Sequence, residues 1–289
     1  MTTATVVSVN LAGFIETPSL GSSPYQIDTD GRPYVPVGDG GIVLGVDLGD
    51  DVFAAAGDHV APGATLTHSD QAARHALTTF ACAGNEVVVR GGQAAGATGR
   101  VLGKRGEAGR VIVVFEPEVL ARLAPGDPVM VRSHGQGARL PDALAEVGAT
   151  VLNVDPALLA RLGVALTDTL QVAVRAAVPS KLVGNGLGRP AQQWDLDLSV
   201  DAGTAGRWGL STWCLGDLIA IHDLDVRHNA GYRRGWTTVG ITVHGGSPLP
   251  GHGPGVMPIL SAPTSTFDLQ IDGSDHVGVS RGRIQFERD

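Results

Sequence analysis

Lysine is nearly missing from this 289-residue chain. Lys104 and Lys181 are its only two, and arginine carries the rest of a basic total of 21 against 29 acidic residues. The net charge of −8 repels phosphate backbones, which excludes non-specific nucleic-acid binding as a main function. Cysteine is just as scarce. Cys82 and Cys214 stand far apart, so no disulfide framework holds the fold. No apolar run reaches the roughly 18–20 residues of a membrane-spanning helix, and no basic stretch precedes the apolar residues near the N-terminus, as a secretory signal requires. The expected address is cytoplasmic, with no membrane partner. The dinucleotide and Walker glycine spacings are missing, so no nucleotide cofactor motif is present. The zinc spacings HxH, HExxH and CxxC are missing too. The cofactor is left open: a divalent metal is compatible with the histidines and aspartates, but no metal ligand is assigned.

Glycine and proline are abundant. The 41 glycines and 17 prolines are scattered rather than clustered, which points to many tight turns between short strands. Apolar and alternating runs predict strands at 6–15, 42–48, 86–90, 99–102, 110–115, 128–132, 170–178, 218–221, 237–243 and 256–260, with a late one at 283–286. A helix over 71–80 is announced by Ser69-Asp70, and one over 156–162 by Asp155 before Pro156. Short helices are also read at 118–123 and 141–147. Long helices and βαβ spacing are lacking, so the expected class is α+β, mainly antiparallel β, with barrel-like sheets. A soft boundary divides a β-rich domain at 1–139 from an α+β domain at 140–289, unless the two form one compact unit.

Several constellations carry chemistry. Asp58-His59 lies in the loop Gly57-Asp58-His59-Val60-Ala61-Pro62-Gly63, where a carboxylate beside an imidazole suits proton transfer. The plainer reading is an Asx turn. His244 ends a predicted strand. His252 sits in Gly251-His252-Gly253-Pro254-Gly255, a loop forced into one shape that presents an imidazole to a close-approaching ligand. Cys82-Ala83-Gly84-Asn85-Glu86 offers a thiol, a turn and a carboxylate, but a free cysteine is more often a small buried hydrophobe. The glycine-rich hairpin over 96–106 holds Lys104 and Arg105, which could meet an anionic group. His222-Asp223-Leu224-Asp225 could hold a hard cation, and a solvated turn explains it equally well. Gly184-Asn185-Gly186-Leu187-Gly188 is best read as a plain turn.

These motifs, with Phe115-Glu116, Gly135-Gln136-Gly137, Asn153, Asp155-Pro156, Leu215-Gly216-Asp217, Tyr232-Arg233 and Val243-His244, resemble the bacterial and archaeal domain-of-unknown-function family 4438 over roughly residues 10–260. His222, His228 and the tail after about 263 do not follow that pattern. The resemblance implies a β-rich fold of the cyclophilin-like barrel kind and a homo-oligomer. It implies no reaction. The leading expectation is a small-molecule metabolic enzyme, a hydrolase, lyase or isomerase, acting on a C–N or C–O bond by His/carboxylate acid–base chemistry. Asp58, His59, His244, His252 and Glu86 are the expected catalytic groups. Lys104, Arg233, Tyr232 and Asn85 are expected to bind substrate. The alternative is a non-catalytic small-molecule binding protein with the same pocket.

Overall fold

The computed structural model describes residues 6–273 and 276–286. Along the chain, Val9–Ile15 (β1) is followed by a small hairpin, Gln26–Ile27 (β2) and Pro33–Tyr34 (β3), and by Ile42–Val43 (β4). Next come Gly63–Thr67 (β5), helix Gln71–Phe80 (α1), Glu86–Val89 (β6), Thr98–Arg105 (β7), Arg110–Val114 (β8), Pro117–Leu120 (α2) and Pro128–Ser133 (β9). The second half runs Asp142–Glu146 (α3), Thr150–Val151 (β10), Pro156–Arg161 (α4), Ala165–Leu166 (β11), Leu170–Val174 (β12), Ala176–Pro179 (β13), Val183–Asn185 (β14), Leu196–Leu198 (β15), Leu218–Asp225 (β16), Gly231–His244 (β17), Gly255–Pro263 (β18), Phe267–Ile271 (β19) and Arg281–Ile284 (α5).

The architecture is mostly antiparallel β. Six strands close a barrel in the order β1-β9-β6-β7-β8-β5, with β5 returning to β1 through Phe14 opposite Thr67 and Ile15 opposite Leu66. Closure removes the sheet edges that would otherwise invite aggregation. Ile15, Leu66, Val87, Val101, Val113 and Phe115 fill the barrel, and Leu77 of α1 joins them. The second sheet is open, ordered β13-β16-β17-β18-β15-β14, with β10 beside β18. Only β13–β16 and β12–β19 pair in parallel among the described strands.

One core joins the halves. Leu102 and Ile112 from the barrel pack with Leu218, Ile241, Val243 and Met257 from the second sheet. Gly103 makes this approach possible, because a Cβ there would collide with Val243. The turn between β7 and β8 is thereby carried to the end of the second sheet.

Helix α1 has its predicted limits, and Asp70 caps it by accepting from the Ala73 amide at 2.8 Å. Asp155 caps α4 from the Ala157 amide at 3.0 Å. The strand expected at 283–286 is instead helix α5, started by the side chain of Ser280. The strand expected over 170–178 breaks at Arg175, whose buried guanidinium turns onto Asp217 at 3.0 Å. Among the described residues no helix is long and apolar enough to cross a membrane.

Candidate metal centre

Strands β15, β17 and β18 meet end to end at Gly255, which lies opposite both Asp197 and His244. In β15 the residues alternate: Leu196 and Leu198 enter a hydrophobic core, while Asp197 belongs to the polar cluster on the other side. A Cβ on Gly255 would collide with His244 Nε2 and press on Asp195, so only glycine lets the three strands converge here. The connection from β17 to β18 carries His252. It also holds the 57–63 loop in place, with the His59 amide donating to Gly246 O at 3.0 Å and the Gly245 amide to Val60 O at 2.9 Å. His59 itself has φ +51°, a region unfavourable for a residue with a Cβ.

Asp58, His59, His244 and His252, separated by up to nearly 200 residues, thus come together with Asp195, Asp197 and Glu107. His59 Nε2 lies 3.1 Å from His252 Nδ1 and 3.5 Å from Asp197 Oδ2. His252 Nδ1 is 2.8 Å from Asp197 Oδ2, and His244 Nε2 is 3.4 Å from Asp197 Oδ1 and 2.8 Å from Asp195 Oδ2. Tetrahedral donors about 2.0–2.1 Å from a zinc-sized ion stand roughly 3.3 Å apart, and octahedral ones closer. The separations at this site fall in that range.

Proton placement sharpens the point. His244 Nδ1 donates to Gly245 O at 2.9 Å, so a neutral His244 turns a bare Nε2 toward two carboxylates. His59 has the same problem, with Nδ1 2.5 Å from Asp58 Oδ1 and Nε2 facing Asp197. Lone pairs facing lone pairs in a buried place need a cation between them, either a proton on each ring or one shared metal ion. With protons alone, the charges are forced. Burial would depress His59, but Asp197 and Asp58 push it up to about 10. Burial would likewise depress His244, and Asp195 and Asp197 raise it instead. Burial would raise Asp197, yet the three imidazoles hold it well below the usual carboxylate range.

Around this cluster stand supporting groups. The Tyr34 hydroxyl of β3 lies 3.0 Å from Asp58 Oδ2 and 2.8 Å from Gln26 Oε1, its single proton serving one of them at a time. Glu107, in the β7–β8 turn, comes within 4.0 Å of His252 Nδ1 and pairs with Arg105 at 3.1 Å. Arg105 also pairs with Asp39. Asn185 Nδ2 lies 3.5 Å from Asp197 Oδ2. His59 and His244 side chains are fully buried, whereas His252 is 15% and Glu107 45% exposed. Solvent therefore reaches the cluster from the His252–Glu107 side.

Five of the residues expected at the site from sequence lie elsewhere. Glu86 sits on the barrel, paired with Arg132 across the β6–β9 ladder at 3.1 Å. Asn85 is buried in a turn and accepts from the Cys82 and His134 amides. Lys104 is fully buried and donates to Asn153 Oδ1, Gln192 O and Thr79 O at 2.7, 2.7 and 3.2 Å. Burial pushes its pKa down to about 7, and its donors are consumed by the interior. Tyr232 and Arg233 are on β17, twelve and eleven residues before His244, about 35–40 Å along the strand. Arg233 there pairs with Asp225 at 2.9 Å and covers Trp236. Asp195, Asp197, Glu107 and Tyr34 were not legible as site residues, although Asp195-Leu196-Asp197 repeats the Asp-x-Asp spacing noticed at Asp223 and Asp225.

A closed antiparallel barrel fused through one core to an open sheet, with a buried His/carboxylate cluster at the sheet end, defines the class of protein. The chain belongs to the family described as domain of unknown function DUF4438: its N-terminal model matches residues 25–160 and its C-terminal model residues 161–278. The cluster draws Asp58, His59 and Glu107 from the first part and Asp195, Asp197, His244 and His252 from the second. The solved crystal structure of TM1086 is similar, with 33% identity, a TM-score of 0.88, and coverage of 94% of this chain and 95% of that one. No curated protein matches.

Proposed function

We propose that this chain is a metal-dependent hydrolase of small molecules, cleaving a C–N or C–O bond. One divalent transition-metal ion would be held by His59 Nε2, His244 Nε2, His252 Nδ1 and Asp197. The observation that carries the reading is that three imidazole nitrogens each stand 2.8–3.5 Å from the buried Asp197 carboxylate, with His59 Nε2 also 3.1 Å from His252 Nδ1. Imidazole with one carboxylate suits zinc and its neighbours better than magnesium or calcium. Such an ion lowers the pKa of its bound water to about 7, which supplies a nucleophile at neutral pH.

The chain's own groups support the rest. Asp58 keeps the His59 proton on Nδ1, leaving Nε2 free, as carboxylate–histidine pairs do beside metals. Tyr34 in turn holds Asp58. Gly245 O fixes the His244 ring through Nδ1–H, and Asp195 Oδ2, 2.8 Å from Nε2, stands beside it as a further candidate oxygen ligand. Glu107 stands on the open side, 4.0 Å from His252 Nδ1, and would serve as the base toward a water that a bound ion activated. The closed antiparallel barrel, with Leu77 of α1 in its core, supports grouping the first half with cyclophilin-like barrels.

The test is a panel of small amides, esters, lactones and N-glycosides, offered to zinc-, cobalt- and manganese-loaded protein and to Asp197→Asn. Turnover that needs the ion and falls at least 100-fold in the variant is expected. Turnover that survives complete metal removal would replace this reading with metal-free acid–base chemistry. Bound metal without turnover of any class would favour a binding protein.

A further inference from the structure

We propose that substrate is held beside this centre by an anionic group, a carboxylate or a phosphate, paired with Arg74. The inference rests on the hydrolase reading for its chemistry, but on separate residues for its geometry. A cleft of about 300 Å³ is lined by Arg74, His75 and Thr78 of α1, by the turn 106–109, and by Gln193 and Trp194. That is the lower end of the size range of small-molecule sites. Glu107 belongs to both places: it lines the cleft and approaches His252 to 4.0 Å. Cleft and centre are therefore neighbours, linked through Glu107.

Arg74 is unusual in its surroundings. Among the described arginines that are buried or half-buried, it is the one whose side chain makes neither an ion pair nor a hydrogen bond. Its counterparts are all engaged: Arg105 and Arg110 with Asp39, Arg175 with Asp217, Arg227 with Asp225, Arg281 with Asp47, and Arg100 with backbone carbonyls. In a chain with 29 acidic residues against 21 basic ones, an unpaired guanidinium facing a cleft selects an acidic ligand, which it can bind through two parallel N–H donors. Its stem lies along the turn, since a Cβ on Gly109 would stand 3.3 Å from Arg74 Cδ. Trp194 adds an apolar ring, with Gly106 packed against it and the Arg189 guanidinium 4.7 Å from its centroid. Three residues further on, in β15, Asp197 reaches the centre. A short molecule with an acid group on Arg74 would lie along Trp194 and bring its other end to Glu107.

The experiment measures binding of inorganic phosphate, acetate and benzoate by calorimetry to the metal-loaded protein, to Arg74→Gln, to Arg74→Lys, and to Asp197→Asn. At least one probe should bind the parent, and whichever binds most tightly decides between phosphate and carboxylate. Arg74→Gln should weaken it about tenfold or more, with Arg74→Lys in between and metal content unchanged in both. Asp197→Asn should still bind it. Unchanged affinity in Arg74→Gln would overturn the proposal. So would binding that vanishes in Asp197→Asn and persists in Arg74→Gln, which would put the anion on the metal. If the parent carries no metal yet Arg74→Gln still weakens binding, the hydrolase reading fails and the anion subsite stands.

Discussion

His59 holds the most constrained backbone of the centre. Its φ of +51° costs on the order of 1 kcal/mol for a residue with a Cβ, and such strain persists where the surroundings over-determine it. Here the surroundings are Gly246 O behind the amide, Asp58 on one ring nitrogen and the cluster on the other. Asp58 would act on a bound ion only through that ring. Asp58→Asn should therefore leave the fold intact and weaken metal affinity about 10–100-fold, read by competition with a chromogenic chelator. Unaltered affinity would remove Asp58 from the site. Gly255 is constrained by space instead of charge. Gly255→Ala should cost about 1–3 kcal/mol in a urea melt through overpacking, and should abolish metal retention by pushing His244 off Asp195 and Asp197. The histidines could be read from sequence because glycine and proline framed them. Asp195 and Asp197 could not, since β15 spans three residues and offers too little alternation to stand out from its neighbours. Glu107 looked like any solvated acid in a hairpin turn.

Elements place these residues, and their ends matter more than their middles. Strand β17 contributes its last residue, β18 its first and the three-residue β15 its middle one, Asp197, while the β7–β8 turn adds Glu107. Sequence patterns find strand interiors well, as with 110–115 and 128–132. Strand ends depend on long-range pairing that no local pattern records. Lys104 shows this. Its hairpin was expected to present it to a ligand, but pairing of β7 with β8 and packing on the second sheet turned it inward to Asn153. A second buried network ties the segment 276–279 to the start of β16. Asp217, fully buried, receives the Cys214 and Val277 amides at 2.9 and 2.8 Å, the Arg175 guanidinium at 3.0 Å, and stands 3.1 Å from His276. Burial would raise its pKa, but His276, the two amides and Arg175 together hold it below the usual value of 3.8. A carboxylate depressed in the folded state stabilises the protein above its unfolded pKa, and that contribution disappears as pH falls through the folded one. Stability should thus decline below about pH 4. Asp217→Asn, which strands the Arg175 charge, should lose about 3–5 kcal/mol at pH 7 in urea denaturation and show a shallower acid limb. An acid limb identical to the parent's would mean that Asp217 does not set it.

At the scale of the whole molecule, the site is a product of the seam between the two family segments. Neither contains it alone: the barrel half brings His59 and Glu107, the second sheet brings Asp197, His244 and His252, and the common core of Leu102, Ile112, Ile241 and Met257 keeps them in register. The β-rich, mainly antiparallel class could be read from scattered glycines, because each tight turn leaves a local mark. Closure of β5 onto β1 could not, since it joins strands some fifty residues apart with no local signature. The central claim is that this seam holds one metal ion. The most direct measurement is elemental analysis of the protein purified without chelator, beside His244→Ala and Asp197→Asn, with a thermal melt of each before and after chelation. Close to one zinc-class ion per parent chain is expected, with loss of it in both variants and a melting temperature that falls on chelation in the parent alone. A parent chain free of metal after reconstitution, with a melt indifferent to chelator, would contradict it.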